Sequence, residues 1–264
     1  MSVKVAAHDG STSLSQLLVG IDWTVRNARR PELGVRVLNL SFGAEALGSY
    51  RTDPLAAAVE AAWARGIAVV SSGGNGGAAA RGLDSPAFDP YVIAVGAGDE
   101  AIADFSSRGS ASRAVDVVAP GSGIISARVP GGVLDENFPA ARIGDTGFRG
   151  SGTSQAAAVV TGAVARLLQV RPALAPDEVK AALRASAAPL PGADRSLQGA
   201  GRVNVAAAEL APVAGAWQRW PRAVGGDPSG GSGCSSPAPA SSGRMVVSGR
   251  GNRAEKRGAW SYSA

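Results

Sequence analysis

The sequence comprises 264 residues, of which 45% are hydrophobic and 36 are glycine, so it can bury a sizeable core in one large domain or two small ones. The formal net charge of +5 lies entirely beyond residue 210, because residues 1–210 contain 19 basic and 19 acidic side chains. We therefore expect no nucleic-acid partner. We also expect no membrane insertion, since no apolar run approaches the roughly 18 residues of a spanning helix. The single cysteine, Cys234, excludes an internal disulfide and a cysteine-based metal site.

Short β-rich runs alternate with helical patterns in the first part of the chain. The apolar spacing of Leu14, Leu17, Ile21 and Val25 predicts a helix after the first strand, and Gly66 ends a second helix. This alternation predicts an α/β fold with a doubly wound, mostly parallel sheet that helices cover on both faces. The predicted strands are residues 3–7, 35–41, 67–72, 91–96 and 115–119.

Two longer helices are predicted further along the chain. One begins near Ser154, where Ala156, Val160 and Leu167 share a face. The next begins at Pro176, which suits a first helical position, and acidic residues follow it in the first turn.

The composition changes after residue 210 and becomes rich in Gly, Ser, Pro and Ala, with little to bury. We therefore expect residues 1–210 to form the domain. We expect residues 211–264 to be a basic tail that is mostly disordered.

Three glycine-rich segments could carry chemistry. One brings Ser154 to the start of a buried helix, where unpaired N–H groups could hold an oxyanion, although a plain helix cap has the same pattern. In the second, a buried strand ends in a loop that holds Asn75, whose amide could donate to the oxyanion or could simply occupy a turn. In the third, a strand ends at Ser41 and Gly43, leaving backbone groups with which an extended peptide could pair.

In this order and spacing, Asn-Leu-Ser-Phe-Gly, Ser-Gly-Gly-Asn-Gly and Gly-Thr-Ser-Gln-Ala-Ala resemble motifs of the subtilisin-like serine peptidases, or subtilases. Further segments agree, so the resemblance covers roughly residues 3–208. It implies a subtilisin-type sheet and a serine endopeptidase in which Ser154 attacks the scissile carbonyl. Asn75 and the Ser154 N–H would hold the oxyanion. A polypeptide substrate would pair as an added strand with Ser41, Phe42 and Gly43 and with Ser72, Gly73 and Gly74.

The sequence departs from the family pattern in its amino-terminal part. Subtilases supply an Asp and a His upstream of the Ser, but neither motif is present. The one histidine, His8, follows the first predicted strand, where the family does not place its base. We therefore expect a sheet that lacks its first strands, and a chain that is inactive alone unless a separate amino-terminal segment supplies both residues. The alternative is a pseudo-peptidase that binds peptides without cutting them.

The resemblance also bears on cofactors, location and one peptide bond. No cofactor and no metal ligand are predicted, and neither the sequence nor the resemblance determines whether a structural calcium ion is bound. No signal peptide is predicted at Met1, whereas the family implies secretion or a cell-envelope location. Similarity to a family turn predicts a cis peptide bond between Ser85 and Pro86. Smaller departures are Ala158, where the family usually has proline, and Val159.

Overall fold

The computed structural model describes residues 1–7, 10–46, 48–110, 112–213 and 215–225. Within them, four parallel strands form one sheet in the order β1-β2-β3-β4. The strands are β1 (Val37–Leu40), β2 (Ala68–Ser72), β3 (Ile93–Ala97) and β4 (Val117–Ala119). The parallel sheet confirms the predicted α/β class and four of the five predicted strands.

Seven α-helices are present in the described part of the chain. They are α1 (Leu14–Asn27), α2 (Pro54–Ala64), α3 (Val133–Asn137), α4 (Thr153–Val170), α5 (Pro176–Ser186), α6 (Arg195–Gln198) and α7 (Val205–Leu210). Every residue of β2, β3 and β4 is buried. Because successive side chains of a strand point to opposite faces, both faces of the sheet are covered. Helix α4 contacts all four strands, and α2 and α5 contact β2.

A small antiparallel sheet leads the chain into α4. It contains β5 (Ile124–Ala127), β6 (Arg142–Ile143) and β7 (Gly147–Gly150) in the order β5-β7-β6. After β7, the Gly152 N–H donates to the Gly121 carbonyl at 2.8 Å, just beyond the end of β4. The Gly123 N–H donates to Ser151 Oγ at 2.8 Å. These bonds fix the first turn of α4 against the carboxyl end of the parallel sheet.

The predicted strand at residues 3–7 is wrong, because this segment belongs to neither sheet. It packs on α1 instead: Thr12 Oγ1 donates to the Val5 carbonyl at 2.5 Å, and the Val5 side chain lies against Gly20. A strand needs a neighbour to share its backbone hydrogen bonds. In the described sheet no strand lies on the outer side of β1. The alternating pattern of half-buried Val3 and exposed Lys4 therefore arises from packing on a helix.

The chain beyond residue 210 differs from the expected disordered tail as far as residue 225. Glu60, which is 4% exposed, accepts from the Ala223 N–H at 2.9 Å and pairs with Arg222 at 3.4 Å. The Arg222 guanidinium lies 3.8 Å from the centre of the Tyr91 ring. Local composition could not predict these contacts, because each joins a single polar group to a partner far away in sequence. Disorder in residues 226–264, which lie outside the described residues, stays a prediction.

Truncation after residue 210 should lower the free energy of unfolding by about 1–3 kcal/mol, because it leaves the buried Glu60 carboxylate without its donors. Truncation after residue 225 keeps these contacts and serves as the matched control. Circular dichroism recorded during urea denaturation gives the unfolding midpoint of each truncated chain. Equal midpoints for the two truncated chains would contradict the docking of residues 215–225.

Gly121→Ala should destabilise the domain by about 1–3 kcal/mol through overpacking. The added Cβ would lie 2.7 Å from the Gly152 carbonyl oxygen and 2.8 Å from the Ala97 Cβ, so the start of α4 must move. Gly162→Ala is the matched control, because nothing lies within 4 Å of its added Cβ in α4. It should stabilise the helix by about 0.5–1 kcal/mol. Urea midpoints that shift equally in both variants would contradict this account.

Candidate active site

Ser154 lies in the first turn of α4, beside the carboxyl end of β1. Its Oγ donates to the Ser41 carbonyl at 2.9 Å, and the Ser41 Oγ donates to the Ser154 carbonyl, also at 2.9 Å. Asn39 Nδ2 donates in turn to Ser41 Oγ at 2.9 Å. These bonds tie the serine to the end of β1. At this position in a helix, the Ser154 N–H has no acceptor in a preceding turn and can point to a ligand.

Asn75 is held at the same helix end by Thr153. The Asn75 Oδ1 accepts from the Thr153 N–H at 2.9 Å and from Thr153 Oγ1 at 3.0 Å. Thr153 Oγ1 also accepts from the Gly74 N–H at 3.2 Å. Because Oδ1 is bound to the helix start, Nδ2 is the atom that Asn75 can offer to a ligand. A Cβ on Gly152 would lie 3.5 Å from Nδ2, so this amino group lies next to the turn that precedes Ser154.

The two predicted substrate-binding segments lie at adjoining strand ends. Ser72 Oγ donates to the Phe42 carbonyl at 3.3 Å and so joins the two segments. Gly73 is buried, and its N–H donates to a carbonyl of β3 at 2.8 Å, so this N–H is not available to a substrate. Gly43 and Gly74 have a different surrounding, because an added Cβ at either position would meet the side chain of one acidic residue.

That acidic residue is Asp84, which the sequence analysis did not single out. An added Cβ would lie 3.1 Å from Asp84 Oδ2 at Gly43 and 2.7 Å from it at Gly74. The Asp84 N–H donates to the Gly73 carbonyl at 3.1 Å, and Ser85 exchanges two backbone hydrogen bonds with the residue after Gly43, at 2.8 and 3.0 Å. The backbone of residues 84–85 therefore bridges the two glycine segments.

The surroundings of Asp84 disfavour its charged form. Burial raises the pKa of Asp84 to about 6, and the negative charge of Glu45 adds to the shift. Both residues line a cavity of about 780 Å³, together with Gly76, Leu83 and Ser107. A cavity lined by two carboxylates and two guanidinium groups, those of Arg81 and Arg113, thus adjoins the loop that carries Asn75.

Several residues that the sequence analysis named can now be compared with their positions in the structure. The peptide bond between Ser85 and Pro86 is cis, as predicted. His8 lies outside the described residues. Ala158 and Val159 are exposed on α4.

Across the described ranges, no group of three or more His, Cys, Asp and Glu side chains is placed to hold a metal ion. In the same part of the chain, no helix has the length and apolarity needed to cross a bilayer.

Thr153 and Asp84 are the candidate site residues that the sequence analysis missed. Thr153 stands inside the Gly-Thr-Ser motif, but its role depends on a contact with Asn75, 78 residues away. Asp84 directly precedes the Ser-Pro turn that predicted the cis bond, and this adjacency was the available signal.

Comparisons with known proteins identify the family to which this fold is similar. The model of the Subtilase family, peptidase S8, matches residues 1–202. Serine protease AprX of Bacillus subtilis (strain 168) is 36% identical over 219 residues, which are 77% of this chain and 50% of AprX. Subtilisin DY of Bacillus licheniformis is 33% identical over 211 residues, which are 78% of this chain and 66% of that protein. The chain thus spans only part of the length of these curated relatives.

Solved structures show the same similarity. Fervidolysin from Fervidobacterium pennivorans, a keratinolytic enzyme related to subtilisin, gives a TM-score of 0.60 at 30% identity, covering 76% of this chain and 29% of that chain. The prenylagaramide maturation protease PagA gives a TM-score of 0.57 at 28% identity, covering 80% of this chain and 69% of that chain. With a family model that covers most of the domain, the chain belongs to the subtilase family of serine endopeptidases, which are hydrolases.

Proposed function

We propose that this chain carries the nucleophile and the oxyanion donors of a subtilisin-like endopeptidase and cleaves polypeptides once a base and an acid reach Ser154. The observation that carries the proposal is the junction at the start of α4. There Ser154 is tied to the end of β1 and Asn75 is fixed by Thr153.

In this mechanism Ser154 Oγ forms a bond to the scissile carbonyl carbon and gives its proton to the base. The carbonyl oxygen takes up the electron pair of its π bond, and Asn75 Nδ2 and the Ser154 N–H stabilise the resulting oxyanion. The carbon–nitrogen bond then breaks, and the leaving amine takes the proton from the base. Water attacks the acyl-enzyme by the same route and restores the Ser154 hydroxyl.

We assign the base and its orienting acid to an amino-terminal segment that is not among the described residues. The described residues contain no histidine, and the Ser154 hydroxyl donates to a backbone carbonyl. The edge position of β1 supports the docking of another segment, because Val37, Leu38 and Asn39 are only half-buried. An unpaired strand edge is a template on which a further strand can pair. By family resemblance we also propose secretion or a cell-envelope location.

A peptide-binding protein without catalysis is the second candidate. The hydrogen bond from Ser154 Oγ to the Ser41 carbonyl favours it, because the hydroxyl proton is already engaged by a group that cannot act as a base. This candidate keeps the cleft between the two glycine segments and needs no further residue at Ser154.

Joining the amino-terminal segment of a subtilase, with its catalytic Asp and His, to the full chain should make Ser154 react with a fluorophosphonate probe. The base raises the nucleophilicity of the hydroxyl, which is weak without it. Mass spectrometry locates the label. The chain alone and the joined chain carrying Ser154→Ala should stay unlabelled.

Two results of this experiment would contradict the proposal. Equal labelling of Ser154 in the chain alone would place a base within the chain. A joined chain that unfolds cooperatively yet stays unlabelled would support the peptide-binding candidate instead.

In the active joined chain, Asn75→Ala should lower kcat and leave KM nearly unchanged, because the oxyanion exists only in the transition state. A loss of about 100- to 1,000-fold is expected, which is the effect known for this residue type in subtilisin itself and is carried over from it. Asn27→Ala, which removes an Asn at the end of α1, is the control. A raised KM with unchanged kcat would assign Asn75 to substrate binding.

A further inference from the structure

We propose that the cleft selects polypeptides with a basic side chain, Lys or Arg, on the residue whose carbonyl group lies at Ser154, and that Asp84 determines this preference. The inference rests on the proposed function, because Ser154 and Asn75 mark the position of that carbonyl.

The position of the carbonyl fixes where the neighbouring side chain goes. A carbonyl oxygen that accepts from Asn75 Nδ2 lies next to the loop in which Gly74 directly precedes Asn75. The side chain on the same substrate residue is separated from that carbonyl by only one backbone atom, so it enters the space beside Gly74. Gly43 and Gly74 have no side chains of their own, and the Asp84 carboxylate occupies the space beside both of them, with Ser107 Oγ also close to Gly74.

Asp84 is held in this place by the backbone. Its N–H is bound to the Gly73 carbonyl, and Ser85 is bound through both backbone groups to Ala44. The backbone of Asp84 and Ser85 is therefore hydrogen-bonded to both glycine-rich segments that lie beside the carboxylate. A ligand that uses the Asp84 carboxylate does not have to order the loop first, which lowers the entropic cost of binding.

The Asp84 carboxylate has no bonded partner among the described residues. In the described part of the chain, no hydrogen bond or ion pair engages either of its oxygens, whereas burial disfavours its charge. Charged groups that line the same cavity do not neutralise it: Glu45 has the same sign, and Arg81 is exposed at the surface. A cationic ligand side chain would supply the missing partner, and a charge-assisted hydrogen bond to it would be stronger than a neutral one.

Arg113 also lines the cavity but is committed elsewhere. Its guanidinium pairs with Asp116 at 3.1 Å. It also donates to three backbone carbonyls, those of Ala87, Asp89 and Val92, at 2.8–3.2 Å. These bonds hold the loop that follows Asp84 and leave the carboxylate itself open to the cavity.

The preference should depend on pH in a defined direction. Asp84, with its pKa raised to about 6, carries its charge at pH 8 and is largely protonated at pH 5. An arginine side chain stays charged at both values. The preference for a basic side chain is therefore present above pH 6 and is lost as the pH falls through that value.

The test measures the binding of two labelled peptides to the full chain by fluorescence anisotropy. The peptides are fluorescein-Ala-Ala-Ala-Arg amide and the same peptide with citrulline, which has nearly the shape of arginine but no charge. At pH 8 the arginine peptide should bind about 30-fold more tightly, a size typical of a desolvated charge pair. At pH 5 the two dissociation constants should approach each other.

Two variants with the same charge change assign the effect to one residue. Asp84→Asn should reduce the ratio of the two dissociation constants to about one and leave citrulline-peptide binding within about twofold. Glu32→Gln removes a negative charge from an exposed position and should keep the ratio. The comparison of pH 8 with pH 5 uses the unmutated chain, so it tests the role of the Asp84 charge even if Asp84→Asn does not fold.

The outcomes separate this inference from the proposed function. If both peptides bind with equal affinity at pH 8, or if the preference survives in Asp84→Asn, the role of Asp84 is overturned while the peptide cleft stands. If neither peptide binds, the cleft itself is overturned, and this inference falls with it.

Discussion

The paired hydrogen bonds between Ser41 and Ser154 are the contacts on which the geometry of the site depends. They join the carboxyl end of β1 to the first turn of α4, so a residue of the sheet and a residue of the helix hold each other in place. The parallel register brings the end of β2 alongside, and with it the loop that carries Asn75. Thr153 then closes the arrangement by binding Asn75 Oδ1 from the helix side. Movement of α4 would therefore displace Ser154 and Asn75 together.

Two buried or partly buried aspartates of this fold, Asp116 and Asp84, have pKa values shifted in opposite directions. Burial alone would raise the pKa of Asp116, but Arg113, Lys180 and Arg184 together hold it below its usual range. That cluster is structural, because removing one member of a buried ion pair leaves an uncompensated charge. Asp84 has no such partner within the part of the chain that the structure describes, and burial raises its pKa. The fold thus uses one carboxylate to anchor a loop and presents the other to a cavity.

The sequence was sufficient for the parts of the fold and the candidate site that local patterns encode. Four strands, the longer helices and the position of Ser154 in the first turn of a helix follow from apolar periodicity and glycine-rich turns. The residues that it missed depend on distant partners. Thr153 acquires its role only when Asn75 arrives from another loop, and Glu60 requires Ala223, 163 residues away. The segment at residues 3–7 has the alternation of a strand, but no pattern within it could show that a neighbouring strand is lacking.

We propose that Ser154 is a nucleophile whose base lies on an amino-terminal segment that docks beside β1. The most direct test mixes the full chain with a separately prepared amino-terminal segment of a subtilase and follows fluorophosphonate labelling of Ser154 as a function of segment concentration. The account predicts a labelling rate that rises with concentration and saturates, as expected for a docked complex. A rate that does not change with segment concentration, although the segment binds, would contradict it.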